Sequence, residues 1–222
     1  MYTAYFDKSG QHDEAGHMVR ISVAGCIASD EQWAALSSQW ASAISHCGIS
    51  MFHMAEFESG RGEFSGKING RTGEGKALLG QLLDIMVEHV PLFVGTFRDF
   101  EKVGGPIHAE YRKGVSDILK TLALNSEVRS GYPIRVVFAK HQAYSAGDVS
   151  SFRATIDHEK VRFSDVGVGE PRDTVPLQAA DIFAYEFSRH VRYSDRPMRF
   201  PFSYIITGAR AKGGKVMMEL YP

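Results

Sequence analysis

Residues 175–185, Val-Pro-Leu-Gln-Ala-Ala-Asp-Ile-Phe-Ala-Tyr, read as a helix that is apolar almost throughout, yet Asp181 sits inside it. An ionised carboxylate there loses much of its hydration and needs a partner: a metal, a cation or several hydrogen-bond donors. Pro176 suits a first helical turn, which carries Asp181 beyond the capping positions, so N-capping does not account for it. The small Ala179 and Ala180 let the helix approach a sheet closely. The fold must bury this helix and bring something to face Asp181.

Two further segments offer polar groups. Tyr2-Thr3-Ala4-Tyr5-Phe6-Asp7 reads as a short strand, with Ser9-Gly10 as the turn that ends it. Asp7 then stands at the C-terminal lip of a strand, where α/β sheets place their ligands; an Asx-type turn explains it equally well. Phe52-His53-Met54-Ala55-Glu56 sets a histidine and a glutamate three residues apart after a helix. Gln178 precedes Asp181 by one helical turn and suits either a metal-bound water or packing against the sheet.

In this order, Tyr5-Phe6-Asp7-Lys8-Ser9-Gly10, Phe52-His53-Met54-Ala55-Glu56 and Leu177-Gln178-Ala179-Ala180-Asp181-Ile182-Phe183-Ala184-Tyr185-Glu186 resemble the domain-of-unknown-function 3800 proteins. The motifs span essentially the whole chain, and the last is the most specific. The resemblance implies a ribonuclease H-like α/β fold, a mixed sheet flanked by helices, and a metal-dependent nuclease. It implies that Asp7, Glu56 and Asp181 hold one or two Mg²⁺ or Mn²⁺ ions for hydrolysis of a phosphodiester in nucleic acid. His53 would orient a carboxylate or carry a proton to the leaving group; a backbone-bonded, half-buried histidine is the equal alternative. No serine elbow or activated-cysteine motif is present, in keeping with a mechanism that needs no side-chain nucleophile.

The chain departs from its relatives at two places. An aspartate commonly ends the strand aligned with Val136-Val137-Phe138, where this sequence has Ala139-Lys140-His141, and Lys8 stands where glutamate is usual. Asp165 from a neighbouring strand would repair the lost oxygen, or His141 or His53 would supply nitrogen and favour manganese or a later transition metal. Lys8 or Lys140 beside Asp7 would instead neutralise the site. The competing expectation is a catalytically inactive ribonuclease H-like module that binds nucleic acid or protein, and fold alone does not separate the two. Hydrolysis of a small phosphorylated compound is a third reading.

Composition bounds these readings. The 222 residues, 44% hydrophobic, suffice for one substantial core, so residues 1–222 are expected to form one domain, with a glycine-rich loop around 57–73. No apolar run is long enough to cross a bilayer, no signal-like N-terminus is seen, and two cysteines read as reduced core thiols, so a cytoplasmic location is expected. With 25 Lys+Arg against 26 Asp+Glu, nucleic acid as a partner demands a local basic patch. Arg189, Arg192, Arg196 and Arg199, extended by Lys212 and Lys215, are the candidates; ordinary cations at a helix C-terminus fit them as well. The 14 Phe and 9 Tyr leave room for a homodimer surface.

Strands and helices alternate. Strands are expected at 2–7, 17–27, 91–98, 134–138 and 161–163, and helices at 30–45, 74–89, 106–127 and 148–160, besides the one that carries Asp181. Asp30 is the expected N-cap of the first helix, whose Trp33, Leu36, Trp40 and Ile44 form a core stripe. Residues 57–72 read as a loop beside the candidate site, with Arg61, Lys67 and Arg71 available to a substrate strand, and 200–222 as a tail able to add a hairpin. The glycine spacing in that loop is no phosphate loop, because no strand leads into a Gly-Lys-Ser/Thr motif.

Overall fold

Strand alternation sends Ala4 and Phe6 to one side of the first strand and Tyr5 and Asp7 to the other, and each side meets its own helical layer. The computed structural model describes residues 1–12, 18–66, 68–99, 107–124, 133–140 and 163–221. Six strands, β1 (Tyr2–His12), β2 (Met18–Ser29), β3 (Leu92–Asp99), β4 (Ile134–Ala139), β5 (Phe163–Gly169) and β6 (Lys215–Tyr221), form one sheet in the order β5-β4-β1-β2-β3-β6. The β1–β2 and β2–β3 pairs are antiparallel, whereas β4 joins β1, β5 joins β4 and β6 joins β3 in parallel. With helices on both faces, this is an α/β fold with a mixed sheet, consistent with a ribonuclease H-like arrangement.

The helices are α1 (Asp30–His46), α2 (Met54–Ser59), α3 (Gly73–His89), α4 (Ile107–Leu124), α5 (Val175–Arg192) and α6 (Phe200–Ala211). The tryptophan stripe of α1 is core, as its spacing predicts: Trp33, Leu36, Trp40 and Ile44 are buried. Its N-cap is Ser29 rather than Asp30. Ser29 Oγ accepts from Gln32 N–H at 3.2 Å and Ser29 N–H donates to Gln32 Oε1 at 2.9 Å, a reciprocal capping box.

Helix α5 is the buried element of the fold. Ala179, Ala180 and Ala184 are essentially inaccessible and let it lie against β1 and β2. Phe183 and Phe187 pack with Phe202 of α6 at ring separations of 6.0 and 6.5 Å, and each such ring contributes about 1.5–3 kcal/mol by burial. A side chain at Gly95 on β3 would put its Cβ 2.9 Å from the Phe187 ring, so a glycine there sets how closely α5 approaches the sheet. On the opposite face, α4 buries Val115, Ile118, Leu119 and Leu122 against Phe6, Val23 and Phe138.

Several expectations are corrected. Strand β1 runs through Ser9-Gly10 to His12, because β2 pairs with it to the end. Residues 57–64 are not open loop: α2 and a short 3-10 turn (Gly62–Phe64) bury Phe57 and Phe64, which pack edge to face at 5.6 Å. The tail forms α6 and then a strand parallel to β3, not a hairpin. The short strand expected at 161–163 extends from Phe163 to Gly169. The helix expected at 148–160 lies outside the described residues, as do His17, Lys67, His141 and His158.

Gln178 ties three parts of this layer together. Its Oε1 accepts from Trp40 Nε1 at 3.0 Å and from the Phe52 N–H at 2.9 Å, and its Nε2 donates to the Pro171 carbonyl at 2.9 Å. The side chain is structural, the packing alternative of the two that its position allows. Gln178→Leu would strand two buried donors and one acceptor. We expect it to cost about 3 kcal/mol, roughly a 6–12 °C fall in Tm by thermal unfolding.

Candidate active site

The site begins where β4 stops. Its parallel partnership with β1 ends at Phe6–Phe138, so the next residue of β1, Asp7, faces open space over Ala139. The lip therefore comes from the end of β4 and not from a turn in β1. Asp7 Oδ1 accepts from the Lys8 N–H at 2.8 Å. Asp181 comes from α5, with its Oδ2 accepting from the Met54 N–H at 2.6 Å. The two carboxyl groups meet within hydrogen-bonding reach of each other.

The segment between them is held from the same helix. Phe52 N–H bonds Gln178 and Met54 N–H bonds Asp181, so alternate amides of an extended stretch are fixed by two side chains one turn apart on α5. His53, between them, places Nε2 3.8 Å from Asp181 Oδ1. Glu56, on the first turn of α2, faces the same cleft and adds its negative charge to the surroundings of Asp181. Behind Glu56 stands Gly62 with φ +58°, where a Cβ would lie 2.6 Å from Glu56 Oε2. The four residues the sequence singles out, Asp7, His53, Glu56 and Asp181, line one cleft of about 580 Å³.

Burial dominates its electrostatics. Desolvation and the neighbouring Asp181 charge push the Asp7 carboxyl up to about 7, against the Lys8 amide that stabilises its anion. Desolvation raises Asp181 to about 6, opposed by the hydrogen bonds from Met54 and Asp7. Asp7 thus carries the shared proton and donates it to Asp181. Each carboxyl has one oxygen committed to a backbone N–H, and the remaining pair faces the cleft.

The departures from the family pattern have definite outcomes. Ala139 lies beside Asp7 on the same face, so the missing aspartate would have stood next to it. Asp165 does not replace it: the residue is exposed and registers with Arg135, at the far end of β5 from the cleft. Lys8 follows Phe6 and opposes Val23, which places its side chain on the α4 face, away from Asp7. Lys140 pairs with Glu170 at the rim. Neither lysine occupies the space between Asp7 and Asp181.

Among the described residues, no three His, Cys, Asp or Glu side chains come together as a ready metal-binding group. The donor set nonetheless suits a hard cation: two buried carboxylates with facing oxygens, which a divalent ion would hold together in place of the shared proton. Sequence reasoning missed Tyr185, Glu170 and Arg172 as lining residues. It also missed the buried role of Glu186, although Glu186 interrupts the same apolar helix that exposes Asp181 as anomalous.

No protein-family model matches the chain, and no curated protein matches it. The resemblance to the domain-of-unknown-function 3800 proteins therefore rests on the three motifs themselves. No helix among the described residues is long and apolar enough to cross a membrane.

Both aspartates have folded-state values above the ordinary 3.8, so proton uptake favours the fold, and this contribution is complete below about pH 4 and lost as pH rises through 6 and 7. Asp7→Asn keeps the acceptor for Lys8 and a donor for Asp181 while removing a charge. In EDTA its Tm should exceed that of the wild type by roughly 2–8 °C at pH 8 and by much less at pH 5. An equal difference at both values would refute the assigned shift.

Proposed function

We propose that the protein is a divalent-metal-dependent phosphodiester hydrolase acting on nucleic acid, a member of the domain-of-unknown-function 3800 group. The observation that carries this reading is the Asp7–Asp181 pair, two desolvated carboxylates facing each other at the bottom of a cleft with no cation of the chain between them. Asp7, Asp181 and Glu56 would hold Mg²⁺ or Mn²⁺. The metal supplies charge stabilisation at the phosphoryl group and an activated water.

The chain's own residues divide the remaining work. The Phe52 and Met54 amides fix the backbone around His53, whose imidazole lies half-exposed at the cleft with Asp181 beside it. From there His53 passes a proton to the leaving oxygen, and Asp181 orients the ring. Arg172 and the Lys140–Glu170 pair at the rim meet the phosphodiester backbone. Seating both aspartates against backbone amides limits their motion as the substrate enters.

The inactive-module reading keeps one specific support, the alanine at position 139 beside Asp7 where a further carboxylate is expected. Calorimetry with MnCl₂ and MgCl₂ decides between them. Saturable binding by the wild type, weakened at least about tenfold in both Asp7→Asn and Asp181→Asn, is the expected result, because ligand charge count sets affinity at such sites. Absence of binding by folded wild type at millimolar metal would favour the module. Ala139→Asp adds a carboxylate beside Asp7 and should tighten Mn²⁺ binding by about tenfold in the same titration.

A further inference from the structure

A second pocket, of about 290 Å³, opens on another face of α5, where Glu186, Arg189, His190 and Tyr193 follow at helical spacing. It adjoins the catalytic cleft: Arg189 Nη1 donates to Tyr185 Oη at 3.2 Å, and Tyr185 lines that cleft. Glu186 is 1% exposed, and neither of its carboxylate oxygens has a hydrogen-bond partner in the protein. Arg189 Nε and Arg199 Nη1 are buried donors in the same condition. Arg199 stands 3.1 Å from Glu186 Oε1 as an ion pair without hydrogen-bond geometry, while its other nitrogen bonds Glu58 at 2.7 Å.

A bridge that served only to join α2, α5 and α6 would satisfy these atoms, because an unbonded buried charge is costly. Here two acceptors and two donors are left facing a cavity walled by the rings of Tyr193, His190 and Phe202. The matching ligand is flat, with two adjacent N–H donors beside an acceptor. Phosphate has no such donors. Adenine, cytosine and thymine do not place two ring-edge donors side by side next to an oxygen, whereas guanine does, with N1–H, N2–H and O6. From Asp181 to Glu186 is about 7.5 Å of helix rise, the scale of one or two nucleotide steps.

Resting on the nuclease reading for its substrate class, we propose that this pocket reads a guanine of the bound single strand, with N1–H and N2–H donating to Glu186 and O6 accepting from Arg189 or Arg199. The stack of Arg189, Arg192 and Arg196 around the Tyr193 ring, with guanidinium carbons 4.7–5.9 Å from its centroid, keeps cations at the mouth for the adjoining phosphates. Burial holds the free Glu186 carboxyl up at about 7, a cost that two ligand donors would relieve.

The test is fluorescence anisotropy in EDTA with labelled single-stranded oligothymidylates that carry one central dG, dA or deoxyinosine. Wild type should bind the dG strand at least about tenfold more tightly than the dA strand, with deoxyinosine between them because it lacks the N2 amine. Glu186→Gln and, independently, Arg189→Met should bring dG binding toward the dA value, each checked for an unchanged circular dichroism spectrum. Asp181→Asn should lose metal binding and keep the dG preference. Equal affinity of wild type for dG and dA, or no binding of any strand, overturns the inference even where calorimetry upholds the metal centre. A dG preference in a protein that binds no metal upholds the pocket and sinks the nuclease.

Discussion

Asp181 and Gln178 leave α5 one turn apart, and both reach across to the extended residues 52–54, where they accept from alternate backbone amides. Much of the site depends on this pair of contacts. They anchor the start of α2, set His53 between two fixed neighbours, and bring Glu56 round to the cleft. Gln178 also receives the Trp40 indole and grips the Pro171 carbonyl, so α1 and the approach to α5 are held by the same side chain. Polar groups buried this deeply are tolerable only when satisfied, and both residues meet that condition through backbone donors.

The same helix carries a third buried polar residue that is not satisfied. Glu186 meets Arg199, yet its oxygens stay open toward a pocket. Along α5, then, satisfied groups build the scaffold while groups left partly open mark where ligands belong. Asp181 belongs to both sets, one oxygen spent on structure and the other facing Asp7 and His53. Such division of one carboxylate between positioning and chemistry is how a site is preorganised before substrate arrives.

Much of the candidate site was legible in the chain because burying charge is expensive. Asp181 in an apolar helix announces a partner, and Asp7 and Glu56 are found through motifs that resemble a family. Ala139 was legible as a gap by the same comparison, and the parallel register of β4 on β1 puts it beside Asp7. Gln178 was left open between two roles, since one residue's spacing cannot reveal that an indole and two distant backbone groups converge on it. The fate of Lys8 was likewise undecided, because a turn at Ser9-Gly10 would have ended the strand and freed its direction. Continuation of β1 to His12 keeps the alternation and turns Lys8 to the other face.

What the sequence determines alone is local and periodic: which segments alternate at two or at three to four residues, which helix must be buried, and which carboxylate is out of place in it. The tertiary structure decides which groups, distant in the chain, become neighbours. Asp7 and Asp181 are 174 residues apart, and their meeting depends on β4 ending at Ala139 and on how closely alanines let α5 lie on β1. Glu58, Glu186 and Arg199 converge for the same reason, through the packing of α2, α5 and α6. Pairing register and helix approach are set by the summed packing of the whole core, which no short window of sequence contains.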